Sequence, residues 1–278
     1  AHSKSVSERQ TGRVGGANKR RRIHSYGVAA QPPSTPITLP GITLANLRGG
    51  LQRAYQTSAA VEADIPLDFT VTTGVFHNAF YNLNDALGTA QVELIDLERS
   101  DSLLGKSTGT AFGLELGVKR KLTNRIGGML SYTLSRSDRT SDGRKFISAY
   151  DRTHVLSAAL SFDLTHNWRA GARLVTYSGI PQSPPAPAFP EQRRGVPPER
   201  TPAFVRVDLR LEKRWNIGKT GWISFVAEAL NATLSREVTG YECSAALQIP
   251  GAAPVTTSCG ERVIGPVSVP SLGVEGGF

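Results

Sequence analysis

A chain of 278 residues, 39% hydrophobic and 20% charged, is long enough for one large domain or two small ones and has the composition of a folded protein. No run approaches the roughly 18 to 20 consecutive apolar residues of a spanning helix, which argues against a helical membrane protein; strands of about ten alternating residues can still cross. The net charge of +9 gathers at the start, in Lys4, Arg9, Arg13, Lys19, Arg20, Arg21 and Arg22, and the rest is close to balanced.

Residues 1–23 read as a basic, disordered tail. NKRRR has the charge to meet nucleic acid or an anionic lipid surface, yet no aromatic or periodic residues accompany it, so a solvated segment with no nucleic-acid partner is expected. The segment lacks the apolar core of a secretory signal and begins with Ala, which places any targeting signal elsewhere or has it already removed.

IHSYGVAAQ then reads as a short strand stopped by the prolines of PPSTP. From Leu51 to Asp64, Tyr55, Thr57, Ala59, Val61 and Ala63 alternate with Gln56, Ser58, Glu62 and Asp64. Past Pro66, Phe69, Val71, Thr73 and Val75 alternate with Thr70, Thr72 and Gly74, so the two segments form a hairpin. A polar connection from about Asn82 to Thr108 follows. Phe112, Leu114, Leu116 and Val118 then alternate with Gly113, Glu115, Gly117 and Lys119. After the turn LTNR, Leu130, Tyr132 and Leu134 alternate with Ser131, Thr133 and Ser135.

Beyond the polar segment SDRTSDGRKFISAYD, strands are expected over His154–Leu164 and from Trp168 to Val175, joined at THN. The proline-rich SGIPQSPPAPAFPEQRRGVPPER is read as neither strand nor helix. It leads to PAFVRVDLRLEKRWN, where Val205, Val207, Leu209 and Leu211 take one side and Arg206, Asp208, Arg210, Glu212 and Arg214 the other. A helix would interleave the two sets around its circumference, whereas a pleated strand separates them. A turn at NIGKTG, a strand from Trp222 to Asn231, a fourth long segment and a last strand in PSLGVEGGF complete the chain. Short and long connections alternate throughout, as in a membrane barrel with tight turns on one side and extended loops on the other.

The expected fold is therefore all-β: the antiparallel transmembrane β-barrel portion, about ten strands over residues 24–278. The charged rows face a hydrated lumen and the aliphatic rows face lipid. Gly113, Gly117, Gly127, Ser131, Ser135 and Gly171 fit the crowded inner side of a curved wall. Tyr132, Phe162, Trp168, Trp215 and Trp222 fall where interfacial aromatics belong. A soluble β-sandwich with the aromatics as core is the competing architecture.

Cys243 and Cys259 share the fourth long segment, and with no His or further Cys nearby a disulfide closing a loop of about 15 residues is a better expectation than zinc, two free thiols being the alternative. It implies an oxidising compartment. His2, His24, His77, His154 and His166 are scattered, and no nucleophile signature or phosphate-cradling motif occurs, so neither enzymatic activity, a metal nor a cofactor is expected. The inward charges Glu62, Glu115, Lys119, Arg169, Arg173, Arg206, Asp208, Arg210, Glu212 and Arg214 are read as salt-bridged rungs of the wall rather than as a ligand path.

Ser131–Arg136 (SYTLSR), Asp151–His154, Trp168, Ser178–Pro181 (SGIP), Arg206–Arg210, Leu230–Asn231 and the terminal Phe278 stand in this order, and together resemble the C-terminal half of a TonB-dependent outer-membrane receptor. The resemblance implies a barrel of about 22 strands plugged by an N-terminal domain. It implies uptake of siderophores, vitamins or similar nutrients across the outer membrane of a Gram-negative bacterium. With about ten strands, no plug and no segment to engage the energy-coupling TonB protein, the chain is expected to be a fragment, reaching TonB only through a missing N-terminal part. Phe278 resembles the terminal signal read by the barrel assembly machinery. The alternatives are an autonomous ten-stranded porin-like barrel and a secreted β-sandwich binding module.

Overall fold

Period-two alternation becomes strand wherever it was legible. The computed structural model describes residues 6–15, 20–31, 50–83, 107–123, 125–141, 143–182, 199–243 and 259–278, and no helix occurs among them. The chain divides into two units, Ala1–Ala158 and Ala159–Phe278.

The first unit holds β1 (Val6–Gly15), β2 (Arg20–Gln31), β3 (Gln52–Ile65), β4 (Phe69–Leu83), β5 (Ser107–Thr123), β6 (Ile126–Ser141), the short β7 (Arg144–Ile147) and the start of β8 (His154–Asp163). From β1 to β6 each strand pairs antiparallel with the next; β7 folds back on β6, and β8 is the next neighbour of β6 in the sheet. The second unit holds the end of β8, then β9 (Trp168–Tyr177), β10 (Pro181–Gln182), β11 (Glu199–Arg200), β12 (Phe204–Ile217), β13 (Gly221–Leu230), β14 (Glu237–Cys243), β15 (Cys259–Ile264) and β16 (Val269–Gly277). Its sheet order is β8-β9-β12-β13-β16, and β10–β11 and β14–β15 form two small antiparallel ladders of their own. Among the described residues β1 has the single sheet neighbour β2, and β16 the single neighbour β13.

Five strands, β3 to β6 and β12, are 14 to 17 residues long, against about five or six in an ordinary domain. Connections alternate strictly: 16–19, 66–68, 124–125, 164–167 and 218–220 are short, while 32–51, 84–106, 142–153, 178–203 and 231–268 are long. Because neighbours are antiparallel, the short turns of each unit share one end and the long connections the other. Two of the turns place consecutive residues in the left-handed region, Leu67 and Asp68 (φ 67° and 62°) and His166 and Asn167 (φ 59° and 60°). This backbone twist matches that of the strands it joins.

All ten expected strands are present, and several run further than alternation alone indicated. Hydrogen bonding carries β5 and β6 through Ser107–Ala111 and Arg136–Ser141, where polar side chains occupy both faces. The basic segment does not end at an element boundary: β2 begins at Arg20, and Val6–Gly15 is paired with it as β1. The proline-rich segment, expected to carry no regular structure, is closed at its base by the two-residue ladder of Pro181–Gln182 with Glu199–Arg200. Pro181 stands at the first position of that ladder, where a missing N–H is tolerated.

Glycines on the non-aliphatic face let the strands carry aromatic rings there. Phe76 opposes Gly113, and a Cβ at Gly113 would meet the Phe76 ring at 2.8 Å and also clash with the Leu134 carbonyl oxygen. At Gly117 the nearest atom would be 3.7 Å away. Gly113→Ala is therefore expected to lower stability by about 1–3 kcal/mol, while Gly117→Ala is neutral or stabilising by a few tenths. Urea midpoints of the two variants in detergent micelles measure the difference.

Candidate functional site

Register sorts the side chains of each unit into two faces. In the first unit Ala59, Val75, Leu114 and Leu134 oppose one another in one row across β3 to β6, and Val61, Thr73, Leu116 and Tyr132 in the next. On the other face the corresponding rows are Ser58, Phe76, Gly113 and Ser135, and Glu62, Thr72, Gly117 and Ser131. In the second unit Ala170, Leu211, Ala227 and Leu272 form an apolar row, and Arg169, Glu212, Val226 and Gly273 the row behind it.

The apolar face is uncovered. Leu114 is 55% exposed, Val75 51% and Leu272 74%, and Phe112, Val205, Leu209, Leu211 and Phe225 are exposed as well. The single buried large hydrophobic among the described residues is Val226, which lies on the polar face. A soluble sheet hides its aliphatic rows; here they are the part left open, and hiding them elsewhere is worth about 25 cal/mol per Å². Near the short turns the apolar face acquires aromatic and cationic residues. Lys213 stands 5.3 Å from the Trp168 ring centre and 5.9 Å from that of Trp215 and donates to the His166 carbonyl, while Arg120 lies 5.3 Å from the Phe69 ring.

The polar face is closed by charge pairing. Arg210 bonds Glu228 at 2.6 Å on β13 and Glu275 at 2.9 Å on β16, and lies 3.6 Å from Glu212. Glu212, 5% exposed, also accepts from the Ser224 hydroxyl at 2.9 Å and lies 3.6 Å from Arg214, whose guanidinium stacks 3.9 Å over Trp222. Arg206 meets Asp208 at 3.1 Å, Arg169 meets Asp163 at 2.7 Å, and Arg173 opposes Asp208 in the ladder. In the first unit Arg21 binds Glu62 and, at 3.4 Å, Asp64. Glu115 and Lys119 lie on the same face as Glu62, opposite Gly74 and Thr70. Of the five charged residues on the polar face of β12, Arg210, Glu212 and Arg214 belong to one network, and Arg206 and Asp208 form a separate pair.

Three side chains with no evident chemistry in the sequence hold the bases of the long connections. Asp151 is fully buried and accepts the backbone N–H of Ser137 at 2.6 Å. Three residues on, His154 meets the Tyr132 hydroxyl at 2.8 Å, which gives the D-x-x-H segment a structural meaning. Asn231 (φ 53°) donates its backbone N–H to Asp208 at 2.9 Å, and its amide donates to the carbonyls of Ser235 and Val267, both at 3.0 Å. Thr201 donates its N–H to the Ile180 carbonyl at 3.0 Å and accepts that of Ile180 on its hydroxyl at 3.1 Å; a Cβ at Gly179 would overlap the Thr201 carbonyl. Single residues of this kind leave no periodic trace; the D-x-x-H, S-G-x-P and L-N segments were the available signals.

Cys243 and Cys259 are direct register partners in the β14–β15 ladder. Opposed Cα atoms in such a ladder are about 4.5–5.5 Å apart, inside the range a disulfide spans. Phe278 follows β16, continues the face of Leu272 and Val274, and is fully exposed. Among the described residues no three of His, Cys, Asp and Glu converge as a metal site would require. No protein-family model, curated protein or solved structure matches the chain.

Two measurements check this arrangement. Arg210→Gln leaves three carboxylates facing one another and is expected to cost about 1–2 kcal/mol, more than Glu228→Gln or Glu275→Gln alone, read from chemical unfolding. Intact mass of protein exported to an oxidising compartment is expected to be about 2 Da below that of the reduced chain, the signature of a Cys243–Cys259 bridge.

Proposed function

We propose that the chain forms outer-membrane barrel wall and that its function is nutrient transport, as the C-terminal barrel part of a TonB-dependent receptor. The observation that carries the membrane reading is the uncovered aliphatic face of a sheet whose other face is ion-paired. Hydrocarbon against one side and water against the other satisfies both. The outward residues of β4 from Phe69 to Tyr81 cover about 40 Å along the strand, which at a tilt of about 40° matches an apolar band of roughly 25 Å with its aromatic borders.

Two further features support the reading. Every second connection is short, so each unit has a turn end and a loop end, the asymmetry of barrels that insert from one side. The segments that resemble the receptor family also hold the bases of the long connections: Asp151, Gly179 and Asn231 each fix a point where the chain leaves or rejoins the wall. Transport of a siderophore, vitamin or similar ligand rests on this likeness alone.

Partition into lipid vesicles tests the membrane reading. The wild-type chain is expected to float with zwitterionic vesicles, and Leu114→Arg to weaken insertion by about 2–4 kcal/mol. Glu115→Arg, on the opposite face one residue along, should insert like wild type. A chain that stays in the aqueous phase, or an insertion indifferent to Leu114→Arg, overturns it.

A further inference from the structure

The basic run Arg20–Arg22 is split by the pleat of β2. Arg21 points to the polar face and is neutralised by Glu62 and Asp64. Arg20 and Arg22 belong to the apolar face, in register with Ala63 and Val61. They are exposed, and among the described residues neither they nor His24 on the same face has a hydrogen-bond or ion-pair partner. A lone guanidinium beside hydrocarbon is costly unless an anion meets it.

The same place carries a groove of about 270 Å³, lined by Arg22, His24, Ala59, Val61, Val75 and Leu114. Ala59 provides its depth: in a row continued by Val75, Leu114 and Leu134, it is the small member. The groove lies in the apolar rows, and the cations lie at its short-turn end, since β2 begins at Arg20. Arg120, two register steps nearer that end on β5, continues the basic border above Phe69.

We propose that this is a binding site for an anionic phospholipid, with the headgroup phosphate on Arg20 and Arg22 and an acyl chain along Ala59, Val75 and Leu114. Charge complementarity selects the ligand: two unpaired guanidiniums at the edge of an apolar groove fit a molecule with a phosphate at one end and hydrocarbon at the other. The site rests on the membrane reading, which places the short-turn end at a lipid headgroup layer.

The experiment is flotation of the full chain with vesicles of phosphatidylcholine alone and with about a third phosphatidylglycerol, each arginine near an anionic surface contributing about five-fold. Wild type is expected to prefer the anionic vesicles, and Arg20→Gln/Arg22→Gln to lose at least about five-fold of that preference with unchanged binding to phosphatidylcholine. Ala59→Leu, which fills the groove without altering charge, is expected to reduce the phosphatidylglycerol adducts that survive in native mass spectrometry. Equal flotation of wild type with both vesicles overturns the site and leaves the membrane reading standing. A preference that survives the double substitution assigns it to other cations and overturns the site. Adducts lost with the arginines but unaffected by Ala59→Leu reduce it to diffuse surface charge and overturn the groove. A chain that floats with neither vesicle removes the membrane reading itself.

Discussion

The structure turns on an uncovered aliphatic surface. Leu114, Leu116, Leu209, Leu211, Leu272 and Val274 are all exposed, while the charged residues of β12 behind Leu209 and Leu211 are paired and partly buried. In water this inverts the usual order of burial. The inversion explains why composition is uninformative: hydrophobic and polar residues occur in ordinary proportions, and only their assignment to faces is unusual.

The polar face follows from the same constraint. In a sheet without an apolar core, β12 adds to the backbone ladders carboxylates and guanidiniums that bridge to β13 and β16. Individually such pairs contribute little at a hydrated surface. Connected through Arg210 and Glu212, with Ser224 beneath, they fix the relative register of three strands, because a shift of one residue would exchange the aliphatic and charged faces of the shifted strand.

What the sequence made legible was whatever repeats. Period two identified ten strands, the spacing of the turns identified the alternation of short and long connections, and the charged and aliphatic rows of β12 lie on opposite faces of the sheet. Strand extent was not legible, because Arg136–Ser141 is polar on both faces and is held in the ladder by backbone hydrogen bonds. β1 was missed since VSERQTGRVG has no sustained alternation, and β14–β15 since glycines and polar residues hid the short ladder. Asp151, Thr201 and Asn231 each have a partner 14 to 36 positions away, and no local pattern encodes such distances. Cys243 and Cys259, the two cysteines of the chain, were expected to pair because they share one segment with no His or further Cys nearby, and the ladder places them opposite each other.

Asn231 has one more implication. By holding Ser235 and Val267 with a single amide, it draws together the two ends of the excursion between β13 and β16. The entropy of closing a loop grows only logarithmically with its length once its ends are fixed. Selection acting on the outer part of that excursion is thereby decoupled from selection on the wall: the tip can lengthen, shorten or exchange its residues while the strands beneath keep their register.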